Sequence, residues 1–210
     1  IYGATEVWHT LPEKIYTVGI YPCTAKKLEA SRPEFTAAAD YWRERGHTAV
    51  YQDTDVDLTT RDLARLLKKK KIDLRKVDEA EEKDNPLAQY SGAGTIFGNT
   101  GGVMEAALRT AYFVVTGEEM KPLNFLPVRG LEAVKKAEVP LKIKGSTREI
   151  TLKVAVVHGT ANIEPLLQQI ENGNSPYHFI EVMNCPGGCV NGGGQPIHPM
   201  ETSWLDKAKA

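Results

Sequence analysis

The second half of the chain contains the stretch Phe179-Ile-Glu-Val-Met-Asn-Cys-Pro-Gly-Gly-Cys-Val-Asn-Gly-Gly-Gly-Gln-Pro196. It starts as an apolar run of strand length and continues into a loop where one proline and two glycines separate Cys185 from Cys189. Three more glycines follow. Because glycine lacks a side chain, this loop lets backbone approach an object larger than a side chain. We therefore expect a strand that delivers two thiolates to an iron–sulfur cluster.

Two other interpretations of the loop stay open from the residues alone. It can be a plain turn in which both cysteines serve as small apolar residues. Alternatively, the three cysteines of the chain can bind zinc together with His178 or His198. Neither interpretation gives the glycine tract a role, which favours the cluster.

The composition is that of an ordinary globular protein and excludes several classes of function. Of 210 residues, 26 are Lys or Arg and 27 are Asp or Glu, so no overall charge favours nucleic acid or an anionic membrane. No apolar run reaches the roughly 18 residues of a membrane-spanning helix. Three cysteines argue against a disulfide framework, and reduced thiols imply either a reducing compartment or ligation that protects them. We expect a cytoplasmic location, with periplasmic export alongside a partner subunit as the alternative.

The order of the expected elements indicates an α/β fold with two lobes. A strand over 15–20 ends just before Cys23, as a strand over 177–183 ends just before Cys185. Sites in open α/β sheets gather at the carboxyl ends of strands. We therefore expect two α/β lobes, with parallel or mixed sheets, that meet over a shared metal-cluster site. The first lobe covers 1–125, with a cysteine loop at 22–29 and a glycine-rich turn at 98–102, and the second covers 126–210, with the Cys185/Cys189 loop.

Local signals predict the remaining elements. Thr59 resembles a helix cap before a helical spacing of leucines that ends in a solvated lysine run. Pro122 and Pro127 mark the expected lobe boundary. The other predicted elements are a helix within 31–45, a strand over 94–97, a helix over 103–115, a hairpin of 141–144 with 149–157, and a helix over 163–170.

The segments Pro22–Lys27, Ser91–Arg109 and Phe179–Pro196 together resemble the catalytic domain of [FeFe]-hydrogenases. The resemblance implies an oxidoreductase that interconverts hydrogen with protons and electrons in anaerobic metabolism. In this family the active site is the H-cluster, a [4Fe–4S] cubane joined through a cysteine sulfur to a diiron unit. That [2Fe] subcluster carries CO, CN and azadithiolate ligands.

The resemblance also implies a role for individual residues. Cys23 and Cys185 would ligate the cubane, and Cys189 would ligate it while bridging to the diiron unit. Lys26 would hydrogen-bond a cyanide ligand, with Glu29 orienting its ammonium. Met183 and Phe97 would line the dry pocket of the diiron unit. Further contacts with the cofactor are expected from Tyr21, Pro22, Gly98, Gly187, Gly188 and Gln195.

The chain departs from the family pattern in several ways, and two of them bear directly on the cofactor. The cysteine motif that supplies the fourth cubane ligand is absent, so a further segment or subunit would have to provide it. That partner would also carry the relay clusters toward a redox protein such as ferredoxin or a cytochrome, because this chain has no spare cysteines. Tyr21 stands where the family usually has methionine.

Two related functions remain as alternatives. One is a hydrogen-sensing homologue with low turnover, which Tyr21 favours. The other is a non-catalytic relative that holds ordinary cubanes and assists iron–sulfur assembly. Lys26 argues against the second, because an ordinary cubane offers no cyanide to bind.

Overall fold

The computed structural model describes Thr5 and residues 8–48, 50–77, 91–121, 128 and 132–197. The chain divides into two compact units. The first consists of Ile1–Gln89 with Gly192–Ile197, and the second of Tyr90–Asn191 with His198–Ala210. Among the described helices, none combines the length and the apolar character needed to cross a bilayer.

The first unit is built on a pair of parallel strands. Strand β1 pairs with β2 so that Val18 lies opposite Val56, and helices flank the pair in sequence. The elements are β1 (Val18–Tyr21), α1 (Lys26–Ala30), α2 (Ala37–Arg43), β2 (Val56–Thr59) and α3 (Thr60–Lys70). The structure confirms the strand before Cys23.

Three polar side chains fix where helices α2 and α3 of the first unit begin. Thr59 and Asp62 form a capping box at the start of α3: Oγ1 of Thr59 accepts from the Asp62 amide at 3.1 Å, and Asp62 accepts from the Thr59 amide at 3.1 Å. Asp53 accepts from the amides of Ala37 and Ala38 and so anchors α2. The start of α3 therefore agrees with the sequence prediction.

The second unit is a three-stranded mixed sheet with helices. Strands β3 and β4 pair antiparallel, with Val134 opposite Val157, and β5 pairs parallel to β4. The expected hairpin is confirmed, although β3 starts earlier than the sequence suggests. The elements are α4 (Gly92–Ile96), α5 (Gly102–Thr116), β3 (Val134–Lys142), β4 (Glu149–His158), α6 (Glu164–Glu171) and β5 (Phe179–Met183).

Alternating residues of β4 fill two cores on opposite faces of this sheet. Val154 and Val156 pack in one core with Met104 of α5, while Ala155 and Val157 pack in the other with Leu166 of α6. Burial of a side chain such as Met104 stabilises the fold by about 1.5–3 kcal/mol. Helix α5 therefore groups with the second half of the chain, whereas the sequence suggested a division between 125 and 126. The prolines proposed as that boundary, at 122 and 127, lie outside the described residues.

The predicted strand over 94–97 is wrong, because the segment belongs to helix α4 and its C-terminal end. The amide of Phe97 donates to the carbonyl of Ala93 at 3.0 Å, which is a helical bond. A Cβ on Gly102 would lie 1.7 Å from the carbonyl oxygen of Ile96. The start of α5 thus packs directly on the end of α4, a contact that a short apolar run does not reveal.

Candidate metal-cluster site

Cys23 follows β1 closely and is held by contact with a glycine far along the chain. Tyr21 ends the strand, and the Gly194 amide donates to the carbonyl of Pro22 at 3.0 Å. A Cβ on Gly194 would lie 2.7 Å from the amide nitrogen of Cys23. Only glycine allows this approach, so the third glycine of the tract positions the backbone that carries Cys23.

Arg61 at the start of α3 holds the residues that follow this glycine. Its amide donates to the carbonyl of Gly194 at 3.2 Å, and its Nη1 donates to the carbonyl of Gln195 at 2.8 Å. Gln195, expected near the cofactor, is therefore fixed through its main chain.

Lys26 and Glu29 form the ion pair that the sequence suggested. Nζ of Lys26 lies 2.7 Å from Oε2 of Glu29, one turn apart on α1. The hydrogen bond from Glu29 raises the pKa of Lys26 above its ordinary value, so the side chain carries a positive charge at neutral pH. Both side chains line a cavity of about 110 Å³ together with Tyr21 and the buried Asp57. Glu29 thus makes the contact with the Lys26 ammonium that the predicted orientation requires.

In the second unit, β5 ends at Met183 and leads into the Cys185–Cys189 loop. Two bonds fix the peptide groups at Gly187: its amide donates to Nδ1 of His158, and its carbonyl accepts from the amide of Thr100, each at 3.0 Å. His158 is buried at the end of β4. The loop is thus held from two different elements.

The glycine-rich turn at 98–102 packs against the same loop. Gly188 has φ +105°, and a Cβ there would lie 2.6 Å from the carbonyl oxygen of Gly98 and 2.6 Å from the amide nitrogen of Thr100. The Val190 amide donates to the carbonyl of Gly98 at 3.0 Å. Gly98 and Gly188, both expected at the site, therefore lie where the backbone of the turn packs against the backbone of the loop.

Sequence reasoning missed the buried groups that support this turn. The carboxylate of Glu181 accepts from the amides of Gly101 and Met104, each at 2.6 Å. Nζ of Lys135 donates to the carbonyl and to Oγ1 of Thr100 at 3.1 and 3.2 Å. The alternation of β3 could have revealed Lys135, because the buried positions are 135, 137, 139 and 141. Sequence reasoning also missed His158, whose Nδ1 accepts from the amide of Gly187.

The other candidate residues differ in exposure. Met183 is buried, whereas Phe97 is about half exposed at the end of α4. None of the three cysteines forms a disulfide, and each has some solvent exposure. Cys23 belongs to the first unit, and Cys185 and Cys189 belong to the second. Among the described residues, no three His, Cys, Asp or Glu side chains lie together as a metal-binding group.

The donors and the backbone fit an iron–sulfur group. Iron–sulfur clusters are held by thiolates, and a cubane takes four. This chain offers three thiols outside disulfides, and glycines lie within the Cys185–Cys189 loop and against the backbone of Cys23. Lys26, whose ammonium pairs with Glu29, follows Cys23 by three residues. The number of thiols in the chain equals three of the four thiolates that a cubane takes.

The chain belongs to the family described as iron only hydrogenase large subunit, C-terminal domain, which it matches over residues 3–193. It is 44% identical over 206 residues to the periplasmic [Fe] hydrogenase large subunit of Nitratidesulfovibrio vulgaris, covering 98% of this chain and 44% of that protein. It is 35% identical over 188 residues to cytosolic iron-sulfur assembly component 3 of Mus musculus, covering 88% of this chain and 36% of that protein. The chain thus spans less than half the length of either relative.

A solved structure has the same fold. An [FeFe]-hydrogenase variant from Chlamydomonas reinhardtii superposes with a TM-score of 0.70 at 33% identity, covering 98% of this chain and 55% of that one. The mixed α/β fold expected from the sequence is therefore that of the family.

Proposed function

We propose that this chain forms part of the catalytic domain of an [FeFe]-hydrogenase that oxidises hydrogen reversibly to protons and electrons. The observation that carries the proposal is the higher identity to the hydrogenase large subunit, 44% over 98% of the chain, than to the assembly component, 35% over 88%. When bound, the H-cluster would supply the splitting of hydrogen and the acceptance of electrons. The chain would supply thiolates, a dry pocket and a fixed positive charge.

The proposed residue roles are those that the family resemblance implies, and the contacts on each loop support them. Cys23 and Cys185 would ligate the cubane, and the exposed Cys189 would ligate it and bridge to the diiron unit. Lys26 would donate to a cyanide ligand while Glu29 holds its ammonium. Such a charge-assisted bond is strong where water is excluded.

Met183, Phe97 and Tyr21 would border the diiron unit, and glycines would shape the loops around it. The buried Met183 can exclude water from the pocket. Gly98, Gly187 and Gly188 would act through the backbone, as would Pro22 and Gln195, which already hold the Cys23 loop.

We propose that a segment outside this sequence supplies the fourth cubane ligand. The chain has three cysteines, and a cubane held by thiolates needs four. The same partner would carry relay clusters to a ferredoxin or a cytochrome. We propose the cytoplasm as the compartment, and the name of the periplasmic relative supports export as the alternative. Cell fractionation distinguishes the two.

A role in iron–sulfur assembly is the second candidate, because the mouse relative carries that name and covers 88% of this chain. Hydrogen turnover separates the two functions. We expect the native protein that contains this chain to exchange deuterium between D₂ and water and to produce hydrogen from a reduced electron donor. We expect Cys189→Ser to abolish both. Turnover by the serine variant would contradict the bridging role, and a fully iron-loaded native protein without turnover would favour assembly.

A further inference from the structure

Glu181 and Lys135 are buried charged side chains of the second unit that lie outside the cysteine loop and its glycine turn. Glu181 is 6% exposed in the middle of β5, and Lys135 is 3% exposed near the start of β3. Charged residues are rarely buried unless they are paired or hydrogen-bonded. The burial of these two charged side chains therefore needs a reason other than apolar packing.

Glu181 binds the end of the turn where α5 begins. Its two oxygens accept from the amides of Gly101 and Met104, each at 2.6 Å, so the carboxylate lies at the N-terminus of a helix of 15 residues. Amides at a helix N-terminus lack partners within the helix and favour negative charge. The carboxylate therefore fixes the first turn of α5 relative to β5.

Lys135 binds the middle of the same turn. Its ammonium donates to both oxygens of Thr100. Burial lowers the pKa of Lys135 to about 8, and the negative charge of Glu181 opposes this lowering. The amide of Thr100 in turn donates to the carbonyl of Gly187. A continuous set of hydrogen bonds thus runs from Lys135 through Thr100 to the loop that carries Cys185.

We infer that Lys135 and Glu181 are a pair of positioning residues that fix the Cys185–Cys189 loop through the Gly98–Gly102 turn. The inference deepens the proposed function, because the ligands it positions are those of the proposed cluster. Neither side chain touches a cysteine in any of the contacts above. They hydrogen-bond to the turn and to the start of α5, and the turn contacts the loop at Gly187 and Gly188.

Charge suits this role better than an apolar pair of the same size. A buried charge is costly to desolvate unless hydrogen bonds compensate it. Each charged group therefore requires its specific partners, the amides of Gly101 and Met104 for Glu181 and the oxygens of Thr100 for Lys135. The turn is therefore held in one arrangement, which matches the tight contact of Gly188 with Gly98.

The test measures the rate at which iodoacetamide alkylates each cysteine in the full-length protein prepared without iron. Cys185 is partly exposed, so its rate reports how often the loop opens. We expect Lys135→Met and Glu181→Gln each to raise that rate about tenfold, which corresponds to ~1.4 kcal/mol of opening free energy. The rate for Cys23, in the other unit, should stay unchanged. Because no cluster is present, the result does not depend on the proposed catalytic function.

Neighbouring surface residues provide matched controls. Lys136→Met and Glu138→Gln remove the same charges from exposed positions of β3 and should leave all rates unchanged. Thr100→Val removes only Oγ1 and should produce a smaller increase at Cys185, which keeps the test informative if a charge variant fails to fold. After reconstitution of the cubane, the buried variants should alter its electron paramagnetic resonance spectrum, and the controls should not. Equal increases at Cys23 and Cys185, or an unchanged rate at Cys185 in all folded variants, would overturn the inference.

Discussion

Nδ1 of His158 accepts a hydrogen bond of 3.0 Å from the amide of Gly187. Because this nitrogen accepts, the neutral ring carries its proton on Nε2. His158 is 4% exposed, so water does not readily replace the bond. One side chain at the end of β4 thereby fixes a peptide group between Cys185 and Cys189.

Removal of this ring should destabilise the protein. We expect His158→Ala to lower the free energy of unfolding by about 1–3 kcal/mol, because the buried amide of Gly187 loses its acceptor. Urea denaturation measures the change. His178→Ala is the matched control, since Nδ1 of His178 accepts from the Lys153 amide at 3.0 Å in an exposed position where water can substitute. If the two variants lose the same free energy of unfolding, the buried bond to Gly187 stabilises the protein no more than the exposed bond to Lys153.

Two adjacent glycines should respond differently to the same substitution. Gly194→Ala should destabilise the fold by about 1–3 kcal/mol, because its Cβ would overlap the backbone at Cys23. Gly193→Ala places a Cβ at 3.5 Å from Oγ1 of Thr24, an ordinary contact. Thermal unfolding of both variants gives the comparison. If the two lose the same stability, the backbone of Cys23 is not held by Gly194.

The capping box of α3 should make stability depend on acidity. The hydrogen bond from Lys27, with those from Thr59, holds the pKa of Asp62 well below its ordinary value of 3.8. The folded state therefore binds this proton less readily than the unfolded state, so the contribution of Asp62 is complete above pH 3.8 and is lost as the pH falls further. The difference in unfolding free energy between the wild type and Asp62→Asn should shrink as the pH falls through this region. Lys27→Met should weaken the dependence, and a difference that stays constant down to pH 2 would contradict it.

Two neighbouring lysines should differ in their effect on the cofactor. We expect Lys26→Ala to retain the cubane but lose the diiron unit, because the charge-assisted bond to cyanide is missing. Lys27→Ala should retain both, since its ammonium pairs with Asp62 at 2.6 Å. Iron content and infrared bands of the native assembly measure the outcome. If Lys26→Ala retains the diiron unit at full occupancy, Lys26 does not hold the cofactor.

The sequence predicts the elements that carry the cysteines because strand and loop signals there are local. The run before Pro22 and the run before Cys185 each have strand length, and the structure has β1 and β5 at those places. The capping signal at Thr59 is equally local and is confirmed. The segment 94–97 is different, because contact between Gly102 and Ile96 decides its conformation.

The residues that hold the cysteine loop in place cannot be identified from a short stretch of sequence. Glu181 lies 80 positions from Gly101, and Lys135 lies 35 positions from Thr100. Such pairs follow from how β3, β5 and α5 pack, which residue spacing does not specify. The grouping of α5 with the second unit has the same cause, since its apolar face packs on β3 and β4.

Infrared spectroscopy of the native protein that contains this chain tests the central proposal most directly. Iron-bound CO and cyanide absorb in a window that is free of protein bands. We expect bands from both ligands in the wild type, and their loss in Cys189→Ser. A preparation with full cubane content and turnover of hydrogen but no such bands would contradict the H-cluster, and a full cubane with neither bands nor turnover would make the chain a scaffold for ordinary clusters.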